Sequence, residues 1–153
     1  MALNTTYGRD ITAAIVGTPA NTIGLVTRTA VSEVNVESAT FVKLAGRKAS
    51  TPDANTKMFG MVRHSPTVVT GEDGKALYKA GRSFPVIVSG DVNAALKVGD
   101  TINGGELLYL TDDMKTLTTV KGGLGAVAVS VEKVADGIVS AKLLSNAGVY
   151  TVA

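Results

Sequence analysis

The chain has 153 residues, of which 45% are hydrophobic, 18% charged and 5% aromatic, with a net charge of +2 and no Cys or Trp. This supplies enough apolar surface for one ordinary domain and excludes a disordered chain; the core must be built from Val, Leu, Ile and Ala. Lys and Arg are scattered, with Arg47-Lys48 the longest basic cluster, so the basic stripe that carries nucleic-acid affinity is missing. Without Cys there is no disulfide, thiolate nucleophile or Cys-based zinc site.

The opening MALNTTYGRDITAAIVG has no basic segment leading into a long apolar run. It does not read as a signal peptide, and no stretch approaches the ~18 apolar residues of a membrane span. The expectation is a soluble chain that is not secreted and has no membrane partner. Residues 1 to 21 are small and polar, with one short strand candidate at Ile11–Val16. They read as an N-terminal arm before a single β domain over 22–153. An arm that reaches a neighbour needs an aromatic anchor and a charged partner, which makes Tyr7 and Arg9 the first contact candidates.

From Thr22 onward, apolar and polar residues alternate at the strand period. Ile23, Leu25 and Thr27 share one face, and Val34 and Val36 alternate with Glu33, Asn35 and Glu37. Ala39–Ala45 is a further β-rich run. Gly46–Asn55 (GRKASTPDAN) has loop composition throughout, so Arg47 and Lys48 are expected on a surface loop suited to partner contact. Lys57–His64 resumes a strand, with Met58, Gly60 and Val62 on one face and Phe59, Met61 and Arg63 on the other. Thr67–Thr70 and Ala76–Tyr78 flank Asp73-Gly74 as a hairpin.

Phe84–Leu144 carries the strongest β grammar. Phe84–Val88 is a strand. Val92–Val98 is ambiguous and reads as a short helix or an irregular crossing. Strands follow at Thr101-Ile102, Glu106–Leu110 and Thr116–Val120. Leu124–Val134 and Ile138–Leu144 form a hairpin closed at Asp136-Gly137, and Gly148–Val152 is a last edge-strand candidate. With 17 Gly, many tight turns and no helical period of useful length, the fold class is all-β. A compact antiparallel β-barrel or β-sandwich is expected, with an extended N-terminal arm and at most one short helix.

The chemistry is sparse. His64 is the sole histidine and precedes Ser65-Pro66 at a strand end. Asp91, Asp100, Asp112, Asp113 and Asp136 each sit in turn contexts, where Asp bonds local backbone, and none matches a calcium-loop spacing. Gly122-Gly123-Leu124-Gly125 lacks the G-K-[ST] ending of a phosphate loop. The residues therefore point to no catalytic site, no metal and no cofactor.

The run Leu96–Leu144 contains, in order, Val98-Gly99-Asp100-Thr101-Ile102, the Tyr109-Leu110 strand, a Thr-rich strand and the closing hairpin. In this it resembles the capsid decoration, or cement, proteins of tailed bacteriophages. The resemblance implies a non-enzymatic virion protein. It would sit on the outside of a phage capsid, bind the major capsid protein, bridge capsomers and form a homo-oligomer, either trimer or dimer. Two other classes stay open at this point: a tail or head–tail β protein, and a small-ligand or carbohydrate-binding β module.

Overall fold

A computed structural model describes residues 16–53, 56, 58–65, 76–122 and 124–144. Among them are twelve strands and no helix. They are β1 (Val26–Ser32), β2 (Val36–Glu37), β3 (Phe41–Ala45), β4 (Lys48–Ser50), β5 (Phe59–Val62), β6 (Leu77–Tyr78), β7 (Ser83–Ser89), β8 (Asp91–Leu96), β9 (Leu107–Leu110), β10 (Thr116–Thr118), β11 (Ala128–Ala135) and β12 (Ile138–Leu143). The all-β expectation holds, in the form of two closed barrels rather than one. The first has strand order β1-β4-β3-β5-β7 and the second β10-β8-β12-β11-β9, with a separate two-stranded sheet β2-β6. Pairing is antiparallel except for β1 with β4 and β10 with β8.

Alternation along the strands explains how two barrels share one body. The first barrel's own core takes Val42, Leu44, Val62, Phe84, Val86 and Val88. The opposite parity of the same three strands, Phe41 in β3, Phe59 and Met61 in β5 and Ile87 in β7, joins the core of the second barrel. That core also holds Val92, Leu96, Leu108, Leu117, Val139 and Leu143. The wall β3–β5–β7 is thus buried on both faces, and all four residues of β5 are buried. The face assignment expected for Met58–Val62 holds: Met58 and Val62 face the first core, Phe59 and Met61 the second.

Gly60 lies at the centre of this wall. A Cβ there would come within 2.5 Å of Val86 Cγ1 and 2.6 Å of the Ile87 carbonyl oxygen. The backbone oxygen cannot retreat without disturbing the pairing of β5 with β7, so only glycine lets the two strands approach this closely.

Several expectations need correction, among them the strand alternation of Val34 with Val36, since Val34 lies outside β2 and is exposed while Val36 is buried. Val92–Val98 is neither helix nor irregular crossing. Asp91–Leu96 is strand β8, with Val92, Ala94 and Leu96 inward at the strand period, and it pairs with β12 along its length. The two alanines hide the period, since alanine carries little β preference. Gly46–Asn55 is not loop throughout: Gly46-Arg47 is a tight turn, and Lys48–Ser50 returns as β4 with Ala49 buried between two exposed neighbours. Thr101-Ile102 forms no strand. Thr67–Lys75 of the expected hairpin, Ile11–Ile15 and Gly148–Val152 lie outside the described residues. The described part of that hairpin, β6, pairs with β2.

Gly60→Ala is expected to lower stability by about 1–3 kcal/mol, measured by urea unfolding. The neighbouring Val62→Ala is expected to cost a comparable amount by leaving a cavity.

Candidate interaction surface

The last residues of the expected arm are ordered against the body. Gly17 N–H donates to the Asn93 carbonyl at 2.9 Å, Asn93 N–H to the Thr18 carbonyl at 2.9 Å, and Ala20 N–H to the Asp91 carbonyl at 2.9 Å. Pro19 and Val92 form an antiparallel bridge. Strand β10 reaches only Ala95 and Leu96 on this side of β8, so the segment covers the stretch of edge that β10 leaves open. Side chains reinforce it: Asn93 Nδ2 donates to Thr18 Oγ1 at 3.1 Å, and Asn21 Nδ2 to Asp91 Oδ2 at 2.8 Å.

The same segment grips the first barrel, because His64 N–H donates to the Gly17 carbonyl at 2.8 Å. Gly17 sits at φ 95°, and a Cβ there would be 3.2 Å from Ala39 N and 3.3 Å from His64 Cβ. Residues 16–21 therefore strap both barrels together. His64 Nδ1 lies 3.5 Å from Ser38 Oγ, and Ser38 Oγ in turn accepts the Ala76 N–H at 3.1 Å.

Two aspartates fix the loops of the second barrel. Asp113 Oδ1 accepts Thr111 Oγ1 at 2.6 Å, Lys115 N–H at 2.8 Å and Thr116 N–H at 2.9 Å, while Oδ2 accepts Thr116 Oγ1 at 2.8 Å. Partial burial pushes its carboxyl up, but these hydrogen bonds to the ionised form prevail and hold its pKa at about 2. The turn they shape delivers the Met114 carbonyl to Phe41 N–H at 2.8 Å and places Lys115 Nζ 3.5 Å from Glu37 Oε1. It is a second clasp between the barrels.

Asp100 accepts Thr118 Oγ1 at 2.7 Å and Thr119 N–H at 3.1 Å. The Thr118 hydroxyl is the main reason its pKa lies below the usual carboxylate range. Asp91 and Asp136 meet Asn21 and Lys133 respectively. The aspartates do not converge, and among the described residues no group of three metal-ligating side chains occurs.

Arg47 and Lys48 lie together at the end of the first barrel where β1 finishes and β7 begins. Lys48 is the register partner of Val31, and the Arg47 carbonyl accepts the Val31 N–H at 2.8 Å. Lys48 Nζ is 3.0 Å from Glu33 Oε1. An open hollow of about 600 Å³ is walled by Glu33, Arg47, Lys48, Ala80 and Gly81 with Val31 and Ser32. The hollow brings the basic pair together with Ala80-Gly81, a juxtaposition that sequence reading did not find because the two turns are far apart in the chain. Tyr7 and Arg9 lie outside the described residues.

The sequence model of a family described as "Structural cement protein (E217 gp24/Pam3 gp6)" matches residues 3–153. The chain belongs to this family. The match extends well beyond the Leu96–Leu144 run that carried the resemblance, into an N-terminal half with no motif legible by eye. A cement protein of this kind is a virion structural protein of a bacteriophage. Among solved structures, the N base of head fiber gp8.5 in bacteriophage phi29 is similar at 16% identity, over 82% of this chain and 98% of that one, with a TM-score of 0.42. No curated protein matches the chain.

The cement protein's Asp113 turn yields a pH test. Its folded pKa of about 2 lies below the ordinary 3.8, so its stabilisation is complete above pH 3.8 and is lost as the pH falls towards 2. Asp113→Ala is expected to cost about 1 kcal/mol at neutral pH. The gap between wild type and variant in urea midpoint should narrow as the pH falls through this window.

Proposed function

We propose that this cement protein binds the outside of a phage capsid and stabilises the shell by bridging adjacent capsomers, without catalysing a reaction or holding a cofactor. The family match over nearly the whole chain carries this reading. The partner is the major capsid protein, and the protein acts as a homo-oligomer, dimer or trimer, since closed oligomers suit a symmetric shell. It is made in the host cytoplasm and ends on the capsid surface, with no contact to nucleic acid or membrane. Residues 1–21 serve as the arm and 22–153 as a single β domain.

The physical features suit such a role. A bridge under load needs a body that does not hinge. The doubly buried wall, the 16–21 strap and the Met114–Phe41 clasp each tie the two barrels. Contact is assigned to Tyr7 and Arg9 on the arm and to Arg47 and Lys48 at the hollow, where an exposed guanidinium and ammonium fit carboxylates on a shell protein.

Purified protein mixed with undecorated shells should bind saturably and raise the temperature at which the shells break. Arg47→Glu combined with Lys48→Glu should weaken binding by about tenfold or more, and deletion of residues 1–10 should weaken it further. Shells that show no saturable binding would contradict the reading.

A further inference from the structure

Five of the large aliphatic side chains left in solvent share one end of the second barrel. They are Val98 (90% exposed), Val120 (62%), Leu107, Val131 and Val134. The registers place them together. Ala95 at the close of β8 lies beside both Thr116 of β10 and Ile138 at the start of β12. Ile138 also pairs with Ala135 at the close of β11, and Leu107 at the start of β9 pairs with Val129. The other end of this barrel faces the first barrel through Leu143 N–H to the Gly90 carbonyl and Phe41 N–H to the Met114 carbonyl. The apolar end therefore points away from the seam.

Val98 and Val120 stand in turns, where Gly, Asn, Asp or Ser is the usual choice. Valine there contributes nothing to a core. The two turns are held to each other as well: Asp100, two residues after Val98, bonds Thr118 and Thr119, the two residues before Val120. Lys97 N–H also donates to the Leu117 carbonyl at 2.8 Å. The apolar tips are thus presented on fixed loops, the preorganised form that lowers the entropic cost of binding.

The charges at this end nearly cancel. Lys97 and Lys121 stand against Asp100, Glu106 and Glu132, and Lys133 lies 3.4 Å from Asp136. A strongly charged partner surface is not selected; an apolar one of low net charge is. Addition of a second copy through the free edge of β11 is opposed by the backbone. Register shifts at Val131 and at Val134 bulge that strand twice over its exposed half, and bulges disrupt the regular edge that another strand would need.

We infer that this end of the second barrel is a contact surface for the capsid shell, docking Val98 and Val120 into an apolar, near-neutral depression between shell subunits. The inference rests on the capsid-binding reading. It adds a second contact, distinct in chemistry from Arg47 and Lys48, which is what bridging two capsomers requires. The contact is held by apolar burial, so it should persist when salt screens the basic end.

The test compares wild type, Val98→Asp with Val120→Asp, and Val98→Ser with Val120→Ser on undecorated shells, with solution mass and thermal midpoint measured for each. Both positions are exposed, so the midpoints should stay unchanged. The expected result is shell binding weakened by about tenfold or more in the Asp pair, a smaller loss in the Ser pair, and unchanged solution mass. Wild-type binding with no loss in either pair overturns the assignment of this surface while leaving the capsid-binding reading intact. A fall in solution mass with shell binding preserved assigns the surface to a second copy and also overturns it. No binding by wild type overturns both readings.

Discussion

Every residue of β5 is buried, and the alternation of its side chains sends Phe59 and Met61 into one core and Val62 into another. The remaining architecture depends on that double burial. A five-stranded barrel of this size encloses few side chains, and with aromatics at 5% neither barrel has large rings to spare. By contributing Phe41, Phe59, Met61 and Ile87 to its neighbour's core, the first barrel enlarges the apolar volume of the second. Separation of the two would expose four large side chains at once. Gly60 is the geometric condition for this arrangement, because β5 and β7 could not lie so close with any side chain between them.

The chain belongs to a family of virion structural proteins. Under the proposed role, its structure must supply a body that transmits force and surfaces that recognise a shell. The polar side chains of this chain are spent accordingly. Asp113 and Asp100, which a search for catalytic carboxylates would single out, each accept several bonds from nearby hydroxyls and amides. One shapes the turn that meets the first barrel, and the other holds two valine-bearing turns together. Asn93 and Thr18 tie the strap to β8. The surfaces at the two barrel ends then differ in kind: one is basic and concave, the other apolar and near neutral.

Much of this was legible in the sequence where the signal was local. The face assignment in Met58–Val62 and the hairpin at Asp136-Gly137 follow from a period of two and from turn chemistry within a few residues. Strand β8 was obscured because Asn93-Ala94-Ala95 has no β-branched residue to mark the period. Strand β4 was obscured because three residues are too few to show one. The division into two barrels was not legible at all. It depends on pairings between distant segments, including the parallel pairs β1–β4 and β8–β10, and on a strap whose partners lie some 75 positions away. The hollow beside Arg47 and Lys48 has the same origin, since it needs Ala80-Gly81 to come from a separate turn. The bulges at Val131 and Val134 leave no mark in composition either.

Amide hydrogen exchange followed strand by strand through a urea series tests the shared wall most directly. If β3, β5 and β7 bind the barrels into one unit, the slow amides of β7 in the first barrel and of β8 and β12 in the second will open with the same free energy and the same urea dependence, and Phe59→Ala will lower both together. Two separate openings, with Phe59→Ala weakening only one barrel, would contradict the account.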